Sequence, residues 1–103
     1  MQLMHDVFFT LNDPSPEARE KMVQECLTYL KGHDGMVAFT AGTRVEENRR
    51  DVNDTGFHVS MHAVFATQKQ HDAYQSAPRH MEFVKRNKDG WKQVRVFDSF
   101  QRS

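Results

Sequence analysis

The feature that most constrains the fold is a change in hydrophobic period along the chain. Residues 3–11 and 57–66 alternate apolar and polar side chains with a period of two, which is typical of strands that bury one face. Residues 15–32 instead repeat apolar side chains every three or four positions, as on one stripe of an α-helix. A short apolar segment, residues 35–42, is bounded by glycines and predicts another strand.

The ends of the first helix follow from its capping residues. Ser15 can cap the helix, and Pro16 suits the first helical position because its missing N–H is not needed there. Gly32 stands where helices commonly stop. Cys26 lies on the apolar stripe, so we interpret it as a small buried hydrophobe rather than a nucleophile.

A broken helix is predicted in the second half of the chain. Thr67 and Gln70 have the spacing of a capping box, which indicates a helix start. Pro78 interrupts this helix and favours a second one, because proline restricts the residue before it and begins helices well. The segment that begins at Trp91 alternates again and predicts a last strand.

This order, β-α-β-β-α-β, predicts an α+β ferredoxin-like fold with a four-stranded antiparallel sheet. Helices can cover only one face of such a sheet. Strands one and four nevertheless carry apolar residues on both sides, namely Met4, Phe8, Val94, Val96 and Phe97. A second apolar face requires a partner, so we expect a homodimer that associates through the sheets.

Composition limits the possible partners and compartments. A chain of 103 residues with 38% hydrophobic and 27% charged residues predicts one globular domain, residues 1–103. Lys plus Arg and Asp plus Glu number 14 each, which argues against nucleic acid as a partner. No apolar run is long enough to cross a membrane, and the N-terminus lacks the features of a signal peptide. We therefore expect a cytoplasmic protein without a membrane partner.

Five segments resemble a known family, the stress-responsive A/B barrel (Dabb) proteins, over nearly the whole length. They are the opening H-x-V-F-F at residues 5–9, AGT at 41–43, GF at 56–57, AYQSAPRHMEF at 73–83 and VRVFD at 94–98. The resemblance implies a dimeric α+β barrel in which each subunit is ferredoxin-like. Many members of the family have no assigned reaction, and one plant member is a polyketide cyclase.

The resemblance also implies candidate site residues. The catalytic tyrosine and histidine of that cyclase match Tyr74 and His80, and the histidine that lines its cavity from the first strand matches His5. Where the cyclase has a histidine in the third strand, this chain has Val59, with His58 one position earlier and facing the other side of the sheet. No cofactor and no metal is implied.

Two interpretations of Tyr74 and His80 remain open at this stage. A neutral imidazole can take a proton from carbon beside a carbonyl while a phenol donates to the enolate oxygen. Alternatively, both residues pack at the helix junction with one hydrogen bond each. His5 either faces the same cavity or lies at the strand end near solvent. The remaining wall of a cavity for a small hydrophobic or aromatic molecule is expected to comprise Val7, Phe9, Val59, Met61, Phe83 and Trp91.

The other histidines and the long loop carry weaker signals. His58 and His62 are four residues apart in a strand, about 13 Å, which is too far to share a metal ion. We expect them in a polar stripe at a dimer interface or in solvent, and we expect His33 and His71 in polar surroundings. Residues 45–54 mix both charges and predict a solvated loop or, alternatively, a lid over an anionic substrate.

Two functions follow, from different classes. The first is a small-molecule-binding protein with cyclase or isomerase chemistry through Tyr74 and His80. The alternative is a non-catalytic dimeric stress-response or structural protein. An open cavity that reaches both residues would favour the first, and a solidly packed core around them would favour the second.

Overall fold

The computed structural model describes residues 1–103 as four strands and three α-helices. The strands are β1 (Gln2–Leu11), β2 (Met36–Thr43), β3 (Val59–Phe65) and β4 (Trp91–Gln101). The helices are α1 (Pro16–Tyr29), α2 (Gln68–Gln75) and α3 (Pro78–Asn87), and a 3₁₀ turn at Lys88–Gly90 joins α3 to β4. All strand pairs are antiparallel in the order β2-β3-β1-β4. The predicted ferredoxin-like fold with a broken second helix is therefore confirmed.

The helices begin where the capping residues predicted. The Ser15 hydroxyl accepts a hydrogen bond from the Ala18 N–H at 3.2 Å, and the Thr67 hydroxyl accepts one from the Gln70 N–H at 3.2 Å. Pro78 opens α3 directly after the break. No helix combines the length and the hydropathy that crossing a lipid bilayer requires.

The core lies on one face of the sheet, which we call the helix side. Alternate residues of β1 and β3 are buried there, and α1 contributes Met22, Val23 and Cys26. Cys26 has no exposed surface, and burial raises the pKa of its thiol to about 12. The thiol thus stays protonated at neutral pH, as expected for a small buried hydrophobe.

The opposite face of the sheet, which we call the outer face, has no helix over it. Phe8 lies there and contacts the rings of Phe57 and Phe97, with centroid distances of 4.9 and 5.7 Å. Phe97 is 53% exposed in the single chain. The predicted apolar residues on a second sheet face are therefore present and uncovered.

No helix covers the helix-side surface of strand β4 at the edge of the sheet. Val94 and Val96 pair with Phe9 and Val7 of β1, yet both valines are exposed because the helices stop short of β4. Residues 44–58, between β2 and β3, contain neither helix nor strand. An ion pair between Arg95 and Asp54, at 2.7 Å, ties this loop to β4.

Candidate functional site

A cavity of about 160 Å³ lies between the helix side of the sheet and α3. Most of the residues that line it are apolar, and its polar side chains are those of His5, Tyr74, Gln75 and His80. Of the nine residues that the sequence suggested for the site, eight line this cavity: His5, Val7, Phe9, Met61, Tyr74, His80, Phe83 and Trp91. Val94 and Val96 of β4, which are both exposed, also line it.

Val59 is the suggested residue that does not line the cavity. It has no exposed surface and belongs to the packed core. Only Met61 contributes to the cavity from β3. At this position the chain therefore has an apolar core side chain and no polar group in the cavity wall.

Tyr74 and His80 meet at the break between α2 and α3. Tyr74 is in the last turn of α2 and His80 in the first turn of α3, so the break brings the two rings together. Their centroids are 4.6 Å apart, in an edge-to-face arrangement at 71°. Tyr74 also contacts Phe65 and is almost fully buried. The two residues are thus close enough to act on one bound molecule.

Burial shifts the pKa values of this pair in opposite directions. It lowers the pKa of His80, and the nearby imidazoles of His33 and His5 lower it further, while the backbone of Gln75 acts weakly the other way. Burial also raises the pKa of Tyr74 above its usual value. Near neutral pH the site therefore holds an uncharged imidazole, which can accept a proton, and an intact phenol, which can donate one.

Two buried nitrogens in the cavity wall have no hydrogen-bond partner in the protein. They are Nδ1 of His80 and Nε1 of Trp91. The Trp91 ring packs against Phe9 at 5.2 Å and Phe83 at 5.7 Å, so its apolar contacts are satisfied while its N–H is not. Nearly all buried polar groups in proteins have partners, so two exceptions in residues that line one cavity are unusual.

His5 lies on the cavity side of β1, and the alternative position near solvent is wrong. Its side chain is buried, and its ring is 6.1 Å from that of Tyr74. Nδ1 of His5 is 2.5 Å from Oδ1 of Asp98 on the neighbouring strand β4. The ring is consequently held by a carboxylate, which fixes its orientation.

The expectation that His33 and His71 lie in polar surroundings is wrong. His71 is only 9% exposed, and its ring is 4.9 Å from that of His5. His33 contacts the ring of Tyr74 edge to face at 4.8 Å. His71 is three residues before Tyr74, one helical turn, and this spacing was a signal that the two share a face.

The other two histidines, His58 and His62, lie away from the cavity. On the outer face, His62 bonds to Asp6 at 2.7 Å and to Ser60 at 3.2 Å. His58 accepts a hydrogen bond from the Leu11 N–H at 3.0 Å. The two histidines therefore have separate hydrogen-bond partners.

Solved structures of similar proteins share the fold. A Dabb family protein with a ferredoxin-like fold from Mesorhizobium loti is 21% identical, with a TM-score of 0.79 over 99% of this chain and 98% of that one. A dimeric ferredoxin-like protein of unknown function from Thermobifida fusca is 14% identical, with a TM-score of 0.78 over 96% and 90%. The hydroxynitrile lyase of Passiflora edulis is 17% identical, with a TM-score of 0.73 over 95% and 91%.

Similarity at these levels of identity establishes the fold alone. No curated protein sequence matches this chain. The family model described as the stress responsive A/B barrel domain matches residues 3–101, which is nearly the whole length. The protein therefore belongs to the stress-responsive A/B barrel (Dabb) family.

Proposed function

We propose that this protein binds a small, mainly apolar or aromatic molecule in the cavity and that Tyr74 and His80 perform acid/base chemistry on it. The observation that carries the proposal is the pair of unpartnered nitrogens of His80 and Trp91 in an apolar wall. Leaving a buried polar group without a partner costs about 1–3 kcal/mol. A ligand oxygen that bonds to these nitrogens would remove that cost.

The size of the cavity limits the ligand to about one ring. Its volume is about 160 Å³. An apolar protein cavity of about 150 Å³ is known to hold benzene. Longer substituents would extend past Val94 and Val96, which line the cavity and are exposed. We therefore expect a single aromatic ring that carries a carbonyl or hydroxyl group.

Two reaction types suit the pair. In a cyclase- or isomerase-type reaction, His80 takes a proton from carbon beside a carbonyl and Tyr74 donates to the oxygen on which charge develops. The similar chain from Passiflora edulis is named a hydroxynitrile lyase, and this name supports a second candidate. There, His80 would take the proton from the hydroxyl of a hydroxynitrile, the bond to the nitrile carbon would break as the carbonyl forms, and the departing cyanide would receive the proton from His80 and leave as hydrogen cyanide.

We further propose that two copies associate through their outer faces and that residues 1–103 act as one domain in the cytoplasm. The exposed ring of Phe97 beside Phe8 supports the association, because apolar surface of this kind is normally covered. The relative from Thermobifida fusca is described as dimeric. Neither nucleic acid nor a membrane is proposed as a partner.

The proposal is tested with ligands that contain one ring. Benzaldehyde and phenol are each titrated into the protein, and binding is followed by NMR. In a separate assay, turnover of mandelonitrile is followed through the benzaldehyde that it releases. The expected result is chemical-shift change at Trp91 and at the helix break, which contains Tyr74 and His80.

Substitutions at the cavity separate chemistry from packing. If turnover occurs, His80→Ala should reduce it about 10²–10⁴-fold, the usual contribution of a general base. Met81→Ala is the matched control, because Met81 is the next residue of α3 but is exposed and outside this cavity wall. If no single-ring compound binds, the alternative of a non-catalytic dimeric protein replaces this proposal.

A further inference from the structure

Three side chains that can bind metal ions come together beside the cavity, each from a different element. His5 on β1 is directly opposite Asp98 on β4 in the sheet register, and His71 approaches both from α2. One ring nitrogen of each histidine and one oxygen of Asp98 all lie within 4.8 Å of one another. His5 is buried, His71 is only 9% exposed, and Asp98 is exposed.

The hydrogen bonds of His71 hold it in the form that binds metal. Its Nδ1 is 3.1 Å from a carboxylate oxygen of Asp72, which can only accept, so Nδ1 carries the hydrogen. Its Nε2 is 3.3 Å from the side-chain amide nitrogen of Gln75, which donates. Nε2 therefore carries the lone pair of the ring, and a bound ion would take the place of the Gln75 amide at that nitrogen. A carboxylate behind a metal-binding histidine is the usual arrangement in zinc proteins.

We propose that His5, His71 and Asp98 form a binding site for a divalent transition-metal ion of the zinc class, with Asp72 orienting His71. Two imidazoles and one carboxylate are a common set of protein ligands for zinc in sites that keep a fourth position open. Neither Tyr74 nor His80 is a ligand, so this site does not depend on the proposed function.

To surround an ion, His5 and Asp98 would move slightly apart, and His71 would move toward them and exchange the Gln75 amide for the ion. Nδ1 of His5 and Oδ1 of Asp98 are now 2.5 Å apart. Ligand atoms of a tetrahedral zinc ion are roughly 3.3 Å apart, given metal–ligand bonds of about 2.0–2.1 Å. Asp98 can make this adjustment because its side chain is exposed at the edge strand, where the ion and a water molecule can also enter.

The outer face provides a matched control. His62 bonds to Asp6 at 2.7 Å, so it is also a histidine–carboxylate pair, but its other ring nitrogen bonds to the Ser60 hydroxyl rather than lying near a second imidazole. A binding signal that reports any histidine–carboxylate pair would thus respond to changes at His62.

The test is a titration of the tag-free, chelator-treated protein with Co²⁺, followed by visible absorption, and then displacement with Zn²⁺. We expect one Co²⁺ per chain with the absorption of a four- or five-coordinate ion, and we expect Zn²⁺ to displace it, since zinc binds such sites more tightly. His71→Ala and Asp98→Asn should each abolish the spectrum, and His62→Ala should leave it unchanged. Asp72→Asn should weaken binding about 10–100-fold.

Other outcomes would overturn the proposal. They are a wild-type protein without a saturable spectrum, a spectrum that survives both His71→Ala and Asp98→Asn, and a spectrum lost in His62→Ala. Asp98→Asn is the decisive variant, because an exposed side chain can be changed without unfolding the protein. Zn²⁺ should also raise the melting temperature of the wild type and not that of Asp98→Asn.

Discussion

The two faces of the sheet carry the same polar pair in different surroundings. On the helix side, His5 bonds to Asp98, and on the outer face His62 bonds to Asp6. His5 is also surrounded by the rings of His71, Tyr74 and Phe65, and it lines the cavity. His62 is half-exposed beside Phe8.

The surroundings of a histidine, rather than its bonding partner, therefore indicate its role. Helices cover much of the helix side, so burial shifts the pKa values of side chains there. The cavity beneath the helices can also hold a ligand. The outer face has no such cover, and its apolar rings are suited to contact with another sheet. The helix side is therefore where we place chemistry, and the outer face is where we place assembly.

The largest expected effect tests whether the helix side is the only core of the single chain. Phe65 has no exposed surface, and Phe65→Ala should lower the free energy of unfolding by about 3–5 kcal/mol. The matched change on the outer face, Phe97→Ala, should lower it by less than about 0.5 kcal/mol at concentrations where the chain is monomeric. Urea denaturation measures both. Equal losses would contradict the division between the faces.

The next effect concerns assembly. Phe97→Asp places a charge at the centre of the outer-face rings and should weaken self-association by about 2 kcal/mol or more, the size expected of a central interface residue. Sedimentation velocity across a concentration series measures this. Met81→Asp, at an exposed position of α3, should leave association unchanged. A dimer that tolerates Phe97→Asp and not Met81→Asp would place the interface on the helices.

A smaller effect appears in the pH dependence of stability. The pKa of His80 is lowered from its ordinary 6.5, mainly by burial, so the unfolded chain takes up a proton at higher pH than the folded one. Stability should therefore be full above pH 6.5 and decline as the pH falls below it toward the folded pKa. The pKa of His58 is also lowered, again mainly by burial, and adds to the decline.

Substitution separates the two contributions. His80→Gln should flatten the decline in part, and His80→Gln together with His58→Gln should flatten it further. Chemical denaturation at a series of pH values between 5 and 8 gives the slopes. An unchanged slope in His80→Gln would mean that this ring is no harder to protonate in the folded protein than in the unfolded one.

The smallest expected effect concerns the contact between His62 and Asp6 on the outer face. His62→Ala removes a histidine–carboxylate contact that is partly open to solvent, and exposed pairs of this kind contribute about 0.2–1 kcal/mol. We expect a loss within that range for the monomer, measured by urea denaturation. Asp6→Asn should give a similar loss. A loss of several kcal/mol would show that the outer face is more enclosed in the single chain than its exposure indicates.

The fold could be predicted from the sequence because each element carries its own local signal. The alternation in β1 and β3, the caps at Ser15 and Thr67, and the break at Pro78 depend only on neighbouring residues. Local rules of this kind state where an element begins and which face it buries.

The site could be predicted only in part, because its composition depends on register and packing. Tyr74 and His80 were suggested by the family resemblance, and their contact depends on the helix break. Asp98 could not be placed beside His5 until the pairing of β1 with β4 was known. His33 follows a glycine turn, and nothing in its neighbours indicates that it packs on Tyr74.

The most direct test of the central claim is a crystal structure of the protein grown with benzaldehyde. We expect the aromatic ring of benzaldehyde in the cavity between α3 and the sheet, with its oxygen bonded to Nδ1 of His80 or Nε1 of Trp91. A cavity filled by protein side chains, with both nitrogens bonded to the protein and the compound bound elsewhere, would contradict it.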